Sequence, residues 1–281
     1  MKKIVIYALC YIFFSVATSF AESFLTEPLR EHTAEVGTEI SYIKYKEPDV
    51  MEEDGIMYGL VGSYQYRGWI SEYSPDPNTY IIKLDGKVSW GEVDYESNGT
   101  GTMDNIEDYM IELRGVGGYD FYLSEAAILT PFIGVGCRYL NDDMSGRTTS
   151  TGASGYERSS RYIYSPIGVE LSAALDQGWS IRAQVEYDYF WEGKQKSFLS
   201  DADPGYNDIT NDQDEGYGAR AYIEFQKKSE KIDFSIGPFI KYWNIKRSDG
   251  EIIYYYGVPY RIGYEPKNNS TEIGLKCSIL F

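Results

Sequence analysis

From Trp179 to Trp191 the chain alternates without a break. Trp179, Ile181, Ala183, Val185, Tyr187, Tyr189 and Trp191 share one phase, and Ser180, Arg182, Gln184, Glu186 and Asp188 share the other. Strand side chains point to opposite faces in turn, so one face here is apolar with rings at both ends and the other is polar and charged. A half-buried strand of a soluble sandwich also alternates, but nothing requires it to begin and end in tryptophan. A wall with lipid on one side and a polar lumen on the other does, because amphipathic rings settle at the two water–lipid interfaces. The C-terminus repeats the rule, with Ile273, Leu275, Cys277, Ile279 and Phe281 opposite Glu272, Gly274, Lys276 and Ser278. Twenty-eight tyrosines, with Trp and Phe, bring aromatics to 16% of the chain.

The N-terminus sets the compartment. Lys2 and Lys3 precede an apolar run from Ile4 to Val16, followed by Ala17-Thr18-Ser19-Phe20-Ala21. This is the plan of a secretory signal peptide, with cleavage expected after Ala21. Leu9 precedes Cys10 where a lipoprotein signal needs a small residue. The apolar run is short for a helical span of about 20 residues, and no later stretch is long enough. The organisation expected is a signal peptide over 1–21 and a single barrel over 22–281, in the outer membrane of a diderm bacterium.

Alternation and turn residues predict ten strands near 33–46, 55–67, 79–95, 108–122, 127–140, 161–175, 178–192, 217–228, 231–246 and 269–281. Short turns at 123–125, 176–178 and 228–230 lie on one side, with a longer one at 68–78 containing Pro75 and Pro77. Long polar loops at 47–54, 96–107, 141–160, 193–216 and 247–268 lie on the other. Short periplasmic turns and long external loops are the usual asymmetry. The fold expected is therefore all-β, a transmembrane antiparallel β-barrel of ten strands with both termini periplasmic. Cys137 and Cys277 fall on the outward phase of non-neighbouring strands and are expected as free thiols.

The inward phase carries Glu39, Lys83, Asp85, Lys87, Glu112, Arg114, Arg138, Glu170, Arg182, Glu186, Asp188, Arg220, Glu224, Asp233, Lys241 and Lys276. Charges of both signs in a narrow interior must be paired or hydrated, since burial without a partner costs several kcal/mol. Barrels of about eight strands can be filled by side chains, whereas aqueous porins use about sixteen or more. A salt-bridged interior is the expectation, with a small selective channel as an alternative.

Little in the chain supports catalysis. The net charge is −17, and 201–215 holds Asp201, Asp203, Asp208, Asp212, Asp214 and Glu215 without one Lys or Arg. Such acid excludes nucleic acid, whose phosphates need a basic surface. Asp208, Asp212 and Asp214 are the candidates for a weak Ca²⁺ site, although no EF-hand spacing is present. The single histidine, His32, stands ahead of the first strand on the turn side. No zinc or cofactor pattern appears. Loop 145–160, rich in Ser, Thr and Gly, reads as mobile. Tyr254, Tyr255, Tyr256 and Tyr260 in the last loop are candidate recognition residues, since rigid amphipathic rings make efficient contacts; the competing role is the outer aromatic girdle.

In strand count, loop lengths and terminal Phe281 the chain resembles the omptins, ten-stranded outer-membrane proteases. The resemblance implies insertion by the outer-membrane assembly machinery, contact with lipid and lipopolysaccharide, and peptide cleavage at the barrel mouth by an acidic pair opposite an Asp–His pair. Asp94 and Glu96 stand where the acidic pair would be, and Asp201 and Asp203 where the opposite pair would be. No histidine stands in that second loop. A carboxylate paired with an imidazole deprotonates water near neutral pH, and carboxylates alone are poor bases there. The leading reading is thus a non-enzymatic surface barrel with acidic and tyrosine-rich loops, with an acid-active omptin-like endopeptidase as the enzymatic alternative.

Overall fold

A computed structural model of the chain describes residues 30–69 and 79–281. The expected signal peptide and the prolines of the long turn lie outside these residues. The wall strands are β1 (His32–Glu47), β2 (Met51–Trp69), β3 (Thr79–Ser97), β4 (Gly101–Ser124), β5 (Ala127–Asp143), β6 (Glu157–Ala174), β7 (Trp179–Ser197), β9 (Gly216–Lys227), β10 (Asp233–Ile245) and β13 (Asn268–Leu280). Three shorter strands, β8 (Ile209–Gln213), β11 (Glu251–Tyr255) and β12 (Val258–Gly263), lie in the loops. All pairing in the wall is antiparallel, in the order β6-β5-β4-β3-β2-β1-β13-β10-β9-β7, and β7 returns to β6. The ten-stranded sheet is closed, so its wall has no free edge.

The first and last strands meet. Ala34 and Phe281 exchange both backbone hydrogen bonds, at 3.3 and 2.9 Å, so the two described ends share one rim. Among the described residues, short turns join β4 to β5, β6 to β7 and β9 to β10 at that rim. One of them holds Gln177 and Gly178 at φ of 60° and 73°, a conformation glycine adopts without strain.

The outward phase is the one expected. Ile82, Leu84, Val88, Ile133, Val135, Phe234 and Ile236 are all exposed on the outer face. Cys137 and Cys277 are exposed and unbridged. On β4 the apolar outer belt runs from Tyr109 to Phe121, which is about 40 Å along a strand and about 30 Å once tilted by about 40°. That is the height of a bilayer's hydrocarbon core.

The strands do not stop at the belt. β4 has 24 residues, about twice the 9–11 that a tilted strand needs to cross. The loops expected at 47–54 and 96–107 are therefore mostly strand, leaving turns at 48–50 and 98–100. The physical reason is that the outer face passes from lipid into water. There Lys44, Lys46, Glu52, Asp54, Glu92 and Asp94 replace apolar residues, and the alternation that announced a strand is lost while the hydrogen-bonded ladder continues. Loop 145–160 shortens likewise to 144–156 and is tied down. Arg147 donates to the carbonyls of Asp104 and Asn105, and Thr151 to that of Thr100.

Candidate functional site: a filled lumen under a water-exposed crown

The lumen can be followed from the terminal rim upward. A vestibule of about 790 Å³ opens there, lined in part by Arg30, Arg67, Glu170, Arg182 and Asp233. Beyond it the space narrows to about 100 Å³ between Lys83, Asp85, Arg114 and Glu224. Layers of ion pairs then cross the barrel. Lys276 joins Glu35 at 2.5 Å and Glu224 at 2.9 Å, and Arg182 also holds Glu224. Lys87 joins Glu272 at 2.5 Å and Glu39 at 2.9 Å, with Lys241 reaching Glu39 at 3.3 Å. Arg220 holds Glu112 at 2.6 Å and Asp188 at 2.7 Å, Arg114 holds Glu186 at 2.6 Å, and Tyr164 donates to Glu112 at 2.7 Å. Buried charges are tolerated because each has an opposite partner and further hydrogen bonds. The expected salt-bridged interior is what the inward phase builds.

Above these layers the filling becomes apolar. Tyr162, Tyr164, Phe190, Trp243 and Ile245 pack together. Arg138 lies 5.7 and 5.8 Å from the ring centres of Tyr162 and Trp243. Higher, Ile43, Met57, Val93, Met103, Ile106, Met110 and Met144 form a second core. This is the crown, the part of the barrel above the belt. Arg158 closes one side of it, donating to Glu47 at 2.7 Å and Glu265 at 2.6 Å, and Tyr45 donates to the same two carboxylates. Burial pushes the Glu265 carboxyl up to about 7 against the pull of Arg158.

The carboxylates singled out from the sequence have other partners. Asp94 and Glu96 are exposed and lie on the outer phase of β3, while Val93 and Tyr95 take the inner one. Asp94 accepts the backbone N–H of Asn105 at 2.8 Å, which holds the bulge of β4 where Asn105 has φ of 55°. Asp201 accepts the N–H of Glu157 at 3.1 Å. Asp203 accepts from Gly205 N–H at 2.8 Å and Tyr255 Oη at 3.2 Å. No hydrogen bond or ion pair among the described residues joins the two acidic pairs. Asp208 accepts from Ser200 Oγ at 2.7 Å and Asp212 pairs with Lys194 at 3.1 Å. Among the described residues Asp208, Asp212 and Asp214 do not gather into a group that could hold a metal. His32 lies at the terminal rim, 2.6 Å from Tyr64 Oη.

The tyrosines do come together. β11 and β12 form a two-stranded hairpin over the crown. Its inner face puts Ile253, 3% exposed, against Ile209 and Gly263. Tyr255 packs on Tyr206 and Tyr256 with ring centres 4.8 and 4.7 Å apart, and Tyr206 also meets Tyr260 at 5.9 Å. Gly205 makes this possible, since a Cβ there would lie 2.5 Å from the Tyr255 ring. The hairpin also leaves Ile252, Tyr254, Tyr256, Val258, Tyr260 and Ile262 in solvent, with Tyr256 75% and Ile262 66% exposed. Sequence reading found the tyrosines but missed the hairpin, Tyr206 and the methionine core. The Gly257 turn, at φ of 78° after Tyr256 at 47°, was the available hairpin signal.

A family model described as the autotransporter β-domain matches residues 49–229. A search of curated proteins found no match. Among solved structures, the outer-membrane protease OmpT from Escherichia coli is similar with a TM-score of 0.59 at 9% identity, over 91% of this chain and 99% of that one. The translocator domain of the autotransporter NalP from Neisseria meningitidis follows at 0.43 and 12% identity, over 90% of each chain. The attachment invasion locus protein Ail of Yersinia pestis gives 0.30 at 10% identity, over 90% of this chain and 100% of that one. At such identity the likeness to OmpT is one of fold. The family model and the likeness to OmpT place the chain among outer-membrane barrels, and the likeness to omptins extends as far as the barrel.

Proposed function

The chain belongs to the autotransporter β-domain family, and on that premise we propose that it is a closed outer-membrane barrel displaying a recognition surface. The observation that carries this reading is the β11–β12 hairpin. It packs Ile253 and Tyr255 inward and leaves Ile252, Tyr254, Tyr256, Val258, Tyr260 and Ile262 in water. A surface whose only task is to cover the barrel would not keep so many large apolar side chains exposed.

Passage of a polypeptide or solute, which the family name invites, needs a lumen that a chain or a file of water can occupy. Here it is crossed by the Lys87 and Arg220 layers and topped by two apolar cores. Hydrolysis at the mouth would need a carboxylate and base aimed inward, and Asp94 and Glu96 point outward. In this reading the signal over 1–21 is removed, both termini lie in the periplasm and the crown faces outside. The short-turn rim and the acidic crown support that orientation.

The test uses the refolded barrel in lipid nanodiscs against panels of immobilised extracellular proteins and glycans, beside Tyr256→Asp and Tyr260→Asp variants, with planar-bilayer recordings in parallel. Binding lost in both variants and a silent bilayer are expected. Stepwise conductance, or peptide cleavage abolished by Asp94→Asn, would replace this reading with a channel or a hydrolase.

A further inference from the structure

Three carboxylates in the crown have no cation of their own. Glu53 on β2, Asp108 on β4 and Asp142 on β5 all point inward and are 6%, 7% and 6% exposed. Asp108 and Asp142 stand directly opposite each other in the β4–β5 ladder. Each of the three has one carboxylate oxygen sealed from solvent with no hydrogen-bond partner. Among the ion pairs of the described residues none includes Glu53, Asp108 or Asp142, whereas Glu35, Glu39, Glu112, Glu186, Asp188, Glu224 and Glu272 below them all have one.

The two nearest arginines attract these carboxylates but are held by other partners. Arg158, opposite Asp142 across the β5–β6 ladder, is already shared by Glu47 and Glu265. Arg138 lies beside the rings of Tyr162 and Trp243 and donates to Met110 Sδ. Glu47 and Asp143 add negative charge, and Tyr45 turns its hydroxyl to Glu47 and Glu265. Along the strands the inward phase continues as Met51 beside Glu53, Ile106 and Met110 around Asp108, and Met144 beyond Asp142, all buried. Like charges across a ladder repel, and an apolar surround cannot solvate them. Carboxyl groups in this position keep protons, because a neutral carboxyl removes the repulsion and supplies a donor.

We propose that Glu53, Asp108 and Asp142 form a proton-operated latch, which holds the crown tight while they carry protons and loosens it when they ionise. Burial, and after it the charge of Asp142, drives the Glu53 carboxyl well above the usual carboxylate range, and burial pushes Asp142 up to about 6. A carboxyl raised on folding contributes stability that is complete below its unfolded value of about 4 and is lost as pH rises through the folded one. The crown is therefore tightest in acid and loosens from about pH 6 upward, while the wall of β1, β10 and β13, where Glu35, Glu39 and Glu272 hold lysine partners, does not follow it.

Hydrogen–deuterium exchange on the whole barrel in nanodiscs tests this at about pH 5 and about pH 8, corrected for the intrinsic pH dependence of exchange. Peptides over 51–57, 103–110 and 140–144 should exchange about tenfold faster at the higher pH, with 273–279 unchanged. Glu53→Gln with Asp142→Asn should abolish the difference and leave the crown tight at both. Equal protection of the wild-type crown at both values, or a difference that survives the double variant, would overturn the latch. If that variant loses the heat-modifiable mobility of a folded barrel, Asp108→Asn is read in the same way. Infrared spectra of the wild type in D₂O give an independent measure. A carboxylic C=O band present at about pH 5, lost by about pH 8 and weakened in Asp142→Asn is expected, and its absence at the lower value would sink the proposal.

Discussion

The same strands build two opposite interiors. Within the belt β1 turns Ile40 and Tyr42 outward and Glu39 and Ser41 inward; two residues higher it turns Lys44 and Lys46 outward and Ile43 inward. β3 does the same, passing from Val88 and Trp90 outside and Lys87 inside to Glu92 and Asp94 outside and Val93 inside. β4 passes from Leu113 outside and Glu112 inside to Glu107 outside and Ile106 inside. The backbone ladder does not change across this boundary. What changes is the solvent on the outer face, and with it the side on which apolar surface is hidden. The wall therefore depends on paired charges in its lumen, which are costly when one partner is lost, and the crown depends on ordinary packing.

The largest effect should come from breaking a pair inside the wall. Arg220→Met leaves Glu112 and Asp188 buried without their guanidinium, and should cost about 3–5 kcal/mol or prevent folding. Urea unfolding in lipid vesicles, followed by heat-modifiable gel mobility, measures it. A loss below about 1 kcal/mol would mean that the wall's charges are hydrated and not paired.

A charge facing lipid comes next. Val135→Arg, on the outer face between Ile133 and Cys137, should cost about 2–4 kcal/mol if that face meets the bilayer midplane. The mirror experiment is Lys46→Ile on the crown, which should stay within about 0.5 kcal/mol. Equal costs at the two positions would erase the boundary between belt and crown.

Smaller still, Met57→Ala, at 1% exposure in the crown core, should cost about 2–3 kcal/mol, because neighbouring methionines can shift into the space. Its signature is local, with faster amide exchange at 103–106 and 140–144 and an unchanged wall. Global unfolding at the same denaturant concentration for crown and wall would show that the two regions fold as one unit.

Much of the wall was legible, and for a local reason. Trp179–Trp191 and Ile273–Phe281 alternate because lipid lies on one side of each strand, so inward and outward residues, the free Cys137 and Cys277 and the charged lumen followed from phase alone. The outward placement of Asp94 and Glu96 follows from the same rule, since they share the even phase of Ile82, Leu84 and Val88. The functional resemblance drew attention from that phase to the spacing. The crown was hidden because the apolar phase changes side at the belt, so two half-patterns cancel within a single strand. Met57 lies on β2, Met103 and Met110 on β4 and Met144 in the loop after β5, so they carry no periodic signal as a set.

What the sequence determined by itself was therefore which face of each strand meets lipid, that the strands build a membrane wall, and that the lumen is charged. Tertiary structure alone decided which charges meet. Arg220 finds Glu112 across 108 positions of chain, Arg158 finds Glu47 across 111, and Asp108 and Asp142 are left facing each other with neither. Alternation is set residue by residue by the solvent on either side. Partnership depends on closure, strand order and stagger, which belong to the barrel as a whole.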